Sequence, residues 1–357
     1  MIPMLLLSTL IVIVIVMALL FDFVNGWNDS ANAIATVVAT RVMSPFVAVV
    51  VAAVLNLGGA LVGNKVAETV SKIIYVDPDP KHLPPDVEPE DIPSQEGVLI
   101  IVIAGLTSAA IWAAWMTLLG MPISGSHSLL GGIVGAGVAA GGTKILVAGT
   151  IQKTLLFMLI APALGFIVAY LFYVALIWVT VTWRPSTMNR SFGKLQILSA
   201  CGMAFTHGTN DAQKVMGIIT MALVAGGWQT PSADGKFHVQ LWVQLACALA
   251  ISVGTAAGGW KVIKTLGHHL TKLGPPEGFA AETSAALVLT VTANMGVPVS
   301  TTHTITGSVL GLGATRGMSS VRWGLGEKII LAWVFTLPAT IAMGGSLDWL
   351  FSLFLSP

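Results

Sequence analysis

The sequence predicts an all-α polytopic membrane protein made of two inverted-topology repeats, with broken or re-entrant helices at the membrane midplane. Three observations predict this fold. Hydrophobic residues make up 55% of the 357 residues and charged residues only 9%, whereas soluble domains carry about 25% charged residues. Two polar motifs each occur twice inside apolar surroundings, once in each half of the chain. Loops at equivalent places in the two halves differ in charge, which indicates that the halves cross the membrane in opposite directions.

The duplicated motifs show that the two halves descend from one unit. The first motif reads NDSAN at residues 28–32 and NDAQK at residues 210–214, and the second reads MPISGSHS at residues 121–128 and VPVSTTHT at residues 297–304. The second pair continues into matched glycines, which are Gly131, Gly135 and Gly137 in the first half and Gly307, Gly311 and Gly313 in the second. Duplicated apolar halves with matched polar interruptions are typical of a secondary transporter whose site lies between the repeats.

Apolar segments define the elements in order. In the first half they cover residues 2–24, 45–62, 98–120, 127–142 and 146–182, and in the second half residues 195–206, 212–226, 239–258, 282–297, 303–314 and 327–355. The first segment lacks a basic start and a small-residue cleavage site, so it is interpreted as a span and not as a signal peptide. Several segments are shorter than the roughly 20 residues that a membrane-spanning helix needs. We therefore expect interruptions at Asn28, Ser124, Asn210 and Ser300, lining a cavity.

Loop charges predict the orientation. Residues 75–96 hold seven acidic residues and one lysine, whereas the equivalent stretch of the second half is short and carries Lys261, Lys264 and Lys272. Positively charged loops stay in the cytoplasm, and Arg184, Arg190 and Lys194 place the link between the halves there. The predicted domains are a first repeat (1–182, with an external acidic loop at 75–96), a cytoplasmic linker (183–194) and a second, inverted repeat (195–357). Both termini are then external.

The serine- and threonine-containing motifs predict an anion site. In each copy a proline precedes small hydroxyl residues and a glycine-rich apolar helix, which places the hydroxyl residues at a helix N-terminus with unpaired N–H groups. The residues concerned are Ser124, Gly125, Ser126, Ser300, Thr301 and Thr302. Hydroxyl donors from both repeats suit a tetrahedral oxyanion. A single copy would be read as a capped helix start, but two copies at membrane depth favour the anion site.

The motifs that contain asparagine and aspartate predict a cation site. Carboxylate and amide oxygens suit a small hard cation, and they are offered by Asp22, Asn25, Asn28, Asp29, Asn210 and Asp211. An anion buried beside carboxylates requires accompanying positive charge, so co-transport is an electrostatic expectation. The alternative is that Asp29 and Asp211 cap helices in the protein interior.

The same residues carry a family resemblance. NGWNDSANA at residues 25–33 and HGTNDA at residues 207–212 resemble the duplicated Gly-x-Asn-Asp signature of the inorganic phosphate transporter family. The Pro-x-Ser-x-x-His pair and GFAAE at residues 278–282 are similar to its other hallmarks. The resemblance implies a phosphate symporter of the plasma membrane with inverted repeats, driven by sodium in some members and by protons in others, and commonly a homodimer.

The second copy departs from the first at several positions. His207 stands in place of Asn25, Ala204 in place of Asp22, and residues 213–214 (QK) in place of residues 31–32 (AN). The two cation half-sites need not be equivalent. Glu68 and Glu282 match family positions at which carboxylates matter for transport, and gating or cation access is the expected role. An ion pair of Glu68 with a nearby lysine and a first-turn role for Glu282 are the alternatives.

The sequence thus predicts a symporter that imports inorganic phosphate with sodium across a lipid bilayer. The expected phosphate ligands are Ser124, Gly125, Ser126, Ser300, Thr301 and Thr302 together with Asn25, Asn28 and Asn210, and the expected sodium ligands are Asp22, Asn28, Asp29, Asn210 and Asp211. No cofactor is expected besides the coupling ion. A net charge of +1 does not indicate nucleic-acid binding, and no catalytic triad or nucleotide motif is recognisable. A proton-coupled phosphate or sulfate carrier and a passive anion channel remain alternatives.

Overall fold

Helices account for the whole architecture. In the computed structural model, the described residues (2–76, 83–85, 87–230 and 238–355) form twelve α-helices and no β-strand. Their bounds are α1 Ile2–Ala39, α2 Pro45–Ala60, α3 Lys65–Val70, α4 Gln95–Leu119, α5 Gly125–Gly141, α6 Ala148–Thr180, α7 Pro185–Ala225, α8 Leu241–Ala257, α9 Trp260–Lys264, α10 Pro275–Asn294, α11 Thr301–Thr315 and α12 Trp323–Leu355.

Helices α1–α6 and α7–α12 repeat one order of elements. Each half begins with its own long helix, passes through a very short helix (α3 or α9), and ends with a 33-residue helix that contains a proline, Pro162 in α6 and Pro338 in α12. An isolated bridge joins Ile74 to Leu146 in the first half and Thr271 to Val321 in the second. This matched order agrees with the predicted duplication.

The two repeats exchange packing partners. Helix α5 packs on α12 and α11 on α6, while α1 packs on α8 and α2 on α7. Glycines allow the close approach, because a Cβ at Gly131 would meet Thr340 and a Cβ at Gly307 would meet the carbonyl of Pro162. Small residues at such contacts are what brings helix backbones together in a membrane, where lipid gives no hydrophobic drive for association. Packing between the halves therefore forms a large part of the core.

Within the described part of the chain, four helices are long and apolar enough to cross a membrane, at Leu5–Ala39, Gln95–Leu119, Ala148–Thr180 and Trp323–Leu355. A fifth span is possible by length if the pair Leu241–Ala257 and Trp260–Gly267, bent by 63°, counts as one. Large apolar side chains on the outside, such as Trp178 and Phe354, are strongly exposed. Apolar side chains on the exterior of helices of spanning length suit contact with lipid, and the chain is a multi-pass membrane protein.

Two of the four predicted helix interruptions are present in the structure. The backbone leaves the helical conformation before Ser124 and before Ser300, as expected. The predicted breaks at Asn28 and Asn210 are wrong, because α1 and α7 are continuous through both residues. A continuous helix satisfies its own backbone groups, and the two asparagine side chains find partners on other helices. The apolar segments 195–206 and 212–226 accordingly belong to one helix.

The structure assigns most of the predicted linker to a helix and describes part of the predicted acidic loop. Helix α7 begins at Pro185, so most of the segment 183–194 is the first part of that helix. Of the acidic loop at 75–96, residues 77–82 and 86 lie outside the described residues. The described part includes a short 3₁₀ turn, Pro89–Asp91, whose Asp91 pairs with Lys144 at 3.1 Å.

Candidate functional site

Two helix N-termini, one from each repeat, meet in the protein interior. Ser124 caps α5 by accepting a hydrogen bond from the His127 N–H at 3.1 Å, and Ser300 caps α11 by accepting one from the His303 N–H at 3.2 Å. The prediction that these motifs open helices is therefore confirmed. The rings of His127 and His303 lie 4.6 Å apart between centroids. The positive ends of two helix dipoles thus point toward one buried region.

Further contacts hold the two N-termini together. Ser126 Oγ donates to the Val299 carbonyl of the other repeat at 2.9 Å. Trp333 stacks on His303 and donates to the Pro122 carbonyl at 3.0 Å. Gly125 packs closely against α1, because a Cβ at this position would collide with Asn25 Oδ1. Asn25 therefore lies directly against the first turn of α5.

Asp29 on α1 faces the first turn of α11. Thr302 Oγ1 donates to Asp29 Oδ1 at 2.6 Å, and Thr301 Oγ1 lies 3.3 Å from Asp29 Oδ2. Asn32, one turn further along α1, donates to the same two hydroxyls at 3.0 and 3.2 Å. The first repeat thus supplies the carboxylate, and the second repeat supplies the hydroxyl residues that meet it.

Asp211 on α7 is the matching carboxylate of the second repeat. It accepts hydrogen bonds from Lys214 Nζ at 2.7 Å and from Asn25 Nδ2 at 3.1 Å, and Thr301 Oγ1 lies at 3.4 Å. Lys214 and Asp211 are 3% and 1% exposed, so the ion pair is buried. Both oxygens of Asp211 therefore have donors from the protein.

His207 lies between the two carboxylates. Its Nε2 is 3.7 Å from Asp29 Oδ2 and 3.9 Å from Asp211 Oδ2. The other ring nitrogen, Nδ1, is 2.9 Å from Asn56 Oδ1, and Asn56 donates in turn to Thr255 at 2.9 Å. One ligand atom from each of Asp29, His207 and Asp211 lies within 4.8 Å of the others, a spacing that can hold a metal ion.

Several buried oxygens beside these groups receive no hydrogen bond from the described residues. Neither oxygen of Asp22, which is fully buried, has a donor, and the same holds for Asn32 Oδ1 and Asn210 Oδ1. A buried carboxylate without a donor is costly. Oxygens of this chemistry are those that a small hard cation takes as ligands, so these side chains fit a cation.

Asn28 and Asn210 play a different structural part from the carboxylates. Asn28 donates to Thr117 Oγ1 at 2.8 Å and to the Met121 carbonyl at 3.3 Å, which braces the break before Ser124. Asn210 donates to the Leu289 carbonyl at 3.1 Å on α10. Each asparagine therefore ties the long first helix of its repeat to the fourth helix of that repeat.

The two glutamates singled out from the sequence lie apart from each other. Glu68 is partly buried in α3, and the neighbouring Lys65 directs its ammonium to the Asn294 carbonyl at 3.1 Å. Glu282 is fully buried and accepts hydrogen bonds from Thr36, Ser199 and Gln196. The alternative interpretation of Glu282 as a first-turn carboxylate is wrong, because Glu277 holds that place in α10.

Sequence reasoning missed several partners of these groups. They are Asn32, Thr36, Asn56, Thr117, Gln196, Ser199 and Thr255. Isolated polar residues inside apolar helices were the available signal, because such residues in a membrane face the protein interior. Which of them meet could not be read from the sequence, since each contact joins helices far apart in the chain.

A buried polar site between duplicated halves of a multi-pass membrane protein, formed where two broken segments present helix N-termini, is typical of membrane transporters. Residues 25–344 match the phosphate transporter family, and the chain belongs to that family. It is therefore a transporter and not an enzyme.

Curated relatives and one solved structure extend this result. The chain is 41% identical over 331 residues to a protein of Rhizobium meliloti named "probable low-affinity inorganic phosphate transporter", covering 92% of this chain and 93% of that one. It is 36% identical to a Bacillus subtilis protein of the same name, covering 94% and 95%. The solved structure of "the sodium-dependent phosphate transporter" superposes with a TM-score of 0.83 at 23% identity, covering 97% of this chain and all of that one. The structural match shows a shared fold. An inverted repeat is consistent with that fold.

Proposed function

We propose that the protein imports inorganic phosphate together with sodium ions by alternating access. The observation that carries the proposal is the meeting of two capped helix N-termini, one from each repeat, beside the carboxylates of Asp29 and Asp211. A tetrahedral anion needs converging donors, and a pair of carboxylates next to it needs positive charge. The relatives named as phosphate transporters support the same substrate.

The proposed phosphate ligands are those of the two broken segments. Backbone N–H groups at a helix N-terminus and adjacent hydroxyls bind phosphate oxygens without a fixed positive charge. Ser124, Gly125 and Ser126 open α5, and Ser300, Thr301 and Thr302 provide the matching segment at α11. Asn25 reaches the same place, since its amide oxygen lies against Gly125. Asn28 and Asn210 complete the proposed set of phosphate ligands.

The proposed sodium ligands surround the carboxylates. Asp22, Asn28, Asp29, Asn210 and Asp211 provide the oxygens. Asp22 and Asn210 carry oxygens for which the described residues supply no donor. Phosphate carries negative charge, so its burial beside three aspartates is favourable only when cations accompany it. Sodium and phosphate thus stabilise each other in the site, and neither is expected to bind well alone.

Burial of the site supports alternating access. Asp29, Asp211 and Ser124 are at most 1% exposed, so the site is closed to solvent in this structure. Exchange with either side of the membrane then requires one part of the molecule to move against the other. The exchanged helix pairs α5–α12 and α6–α11 are the natural moving units, since each joins elements of both repeats. Glu68 and Glu282 are proposed to act in gating or cation access.

The remaining parts of the proposal concern assembly and location. The protein is proposed to act as a homodimer in the plasma membrane, with both termini outside. Residues 1–182 and 195–357 are the proposed repeats, joined through a cytoplasmic segment at 183–194.

Uptake of radiolabelled phosphate into proteoliposomes tests the proposal. An inward sodium gradient is compared with an equal potassium gradient at constant pH. Accumulation above the gradient-free level with sodium alone is the expected result. Equal accumulation with the sodium and the potassium gradient would indicate proton coupling. Competition by unlabelled sulfate would indicate another oxyanion as substrate. Phosphate flux that is independent of any cation gradient would indicate a channel.

A further inference from the structure

Lys214 breaks the symmetry of the site. It stands where the first repeat has Asn32, and its Nζ lies 2.7 Å from Asp211 Oδ1. Asn32 contacts the hydroxyls of Thr301 and Thr302 instead. A fixed positive charge therefore occupies the second half-site, whereas the first half-site holds a neutral amide.

The Lys214 side chain lies beside both broken segments. Lys214 lines a small cavity together with Ser126 and Pro298, which belong to the two broken segments. It interacts electrostatically with Asp22 as well as with Asp211. With 3% of its surface exposed, water does not screen its charge.

The two aspartates near Lys214 differ in the hydrogen-bond donors that the described residues supply to them. Both oxygens of Asp211 accept hydrogen bonds, from Lys214 and Asn25. Neither oxygen of Asp22 has a donor among the described residues. The ammonium thus occupies Oδ1 of Asp211, while Oδ2 of Asp211 and both oxygens of Asp22 are left for a cation from outside.

We propose that Lys214 is a built-in cation that replaces one coupling cation at Asp211. The inference rests on the proposed function, since it assigns one of the positive charges that phosphate requires to the chain itself. A tethered ammonium is present before any ion binds and is not carried across the membrane. The protein therefore moves one cation fewer per phosphate than it would with a neutral residue at position 214.

The test uses Lys214→Asn, which gives the second repeat the residue of the first. Full-length protein is reconstituted in liposomes, and the membrane voltage at which net flux of radiolabelled phosphate stops gives the charge moved per phosphate at constant pH and fixed sodium gradient. We expect one more positive charge per phosphate in Lys214→Asn than in the wild type. Lys214→Arg keeps the charge and should retain the wild-type value, as should Lys153→Asn, which removes an exposed lysine of α6.

An unchanged charge per phosphate in Lys214→Asn would overturn the inference alone. Failure of the wild-type protein to transport phosphate with sodium would overturn the proposed function and this inference with it. If Lys214→Asn folds but does not transport, binding of radiolabelled phosphate to the purified variant is measured against sodium concentration. A logarithmic slope larger by one than that of the wild type supports the inference, and an equal slope or no binding at any sodium concentration contradicts it.

Discussion

Asn25 and His207 hold equivalent places in the two repeats, and each reaches the aspartate of the other repeat. Asn25 Nδ2 donates to Asp211 Oδ2 at 3.1 Å, and His207 Nε2 lies 3.7 Å from Asp29 Oδ2. Each residue precedes the aspartate of its own repeat by about one helical turn, so both side chains face the partner helix. The exchange couples α1 to α7 at the level of the site.

Removal of the two carboxylates is expected to have unequal effects on stability. Asp211→Asn leaves the Lys214 ammonium buried without a carboxylate, and loss of one partner of a buried ion pair costs about 3–5 kcal/mol. Asp29→Asn keeps an acceptor for the Thr302 hydroxyl and strands no lysine. Melting temperatures of the purified variants in detergent should therefore be clearly lower for Asp211→Asn. Equal melting temperatures would contradict the assignment of Lys214 to Asp211.

Both aspartate variants should also lose sodium-dependent phosphate uptake in proteoliposomes. The proposed role of Asp29 predicts the loss even where the melting temperature is close to that of the wild type. Unchanged sodium dependence in both variants would remove the carboxylates from the cation site.

Gly125→Ala should abolish or strongly reduce phosphate uptake. The added Cβ would collide with Asn25 Oδ1, so either the first turn of α5 or the Asn25 side chain must move. Gly149→Ala is the matched control, because a Cβ at this position of α6 meets no atom within 4 Å. Initial uptake rates at saturating sodium distinguish the two variants. Normal uptake by Gly125→Ala would show that the contact between Asn25 and α5 does not matter for transport.

The repeats and the breaks before Ser124 and Ser300 could be predicted, because short duplicated motifs with proline and hydroxyl residues indicate them. The continuity of α1 and α7 through Asn28 and Asn210 could not be predicted in this way. An asparagine in an apolar run looks the same whether it breaks a helix or donates to a neighbouring helix, as Asn28 does to Thr117.

The contacts between side chains of different repeats could not be predicted either. The contacts of Asn25 and His207 depend on which helices pack together, and no local sequence pattern indicates that packing. Glu282 shows the same limit, since its donors Thr36 and Ser199 belong to α1 and α7. The duplicated sequence signals a shared site but does not say which side chain of one half meets which of the other.

Two ion pairs at matching places should differ in their contribution to stability. Arg316 pairs with the buried Glu277, whereas Lys144 pairs with Asp91 at a solvent-exposed position. Arg316→Ala removes the cation beside the Glu277 carboxylate, which keeps hydrogen bonds from the Tyr173 hydroxyl and the Gly274 N–H, so we expect a loss of about 1 kcal/mol. Exposed pairs contribute little, so Lys144→Ala should leave the melting temperature nearly unchanged. Equal losses in the two variants would contradict this difference.

The small contribution of the Asp91–Lys144 pair should depend on pH. The backbone N–H of Glu88 and then the Lys144 ammonium hold the pKa of Asp91 below its ordinary value. A lowered pKa in the folded state stabilises the protein above the ordinary value, and the effect disappears as the pH falls through the lowered pKa. Any difference in melting temperature between wild type and Lys144→Ala should therefore persist from neutral pH to about pH 4 and vanish below it. A difference that grows on acidification would contradict the lowered pKa.

Asp22→Asn is expected to weaken the response to sodium without weakening the fold. No described residue donates a hydrogen bond to either oxygen of Asp22, so no hydrogen bond is lost when the charge is removed. The proposed cation loses a charged ligand, and a loss of about 1.4 kcal/mol raises the sodium concentration for half-maximal uptake about tenfold. Phosphate uptake measured over a range of sodium concentrations gives this value. Asp348→Asn is the matched control, since Asp348 is also buried with an oxygen lacking a donor but lies on α12 outside the proposed cation ligands. A similar shift in both variants would mean that loss of a buried charge anywhere, and not loss of a sodium ligand, causes the effect.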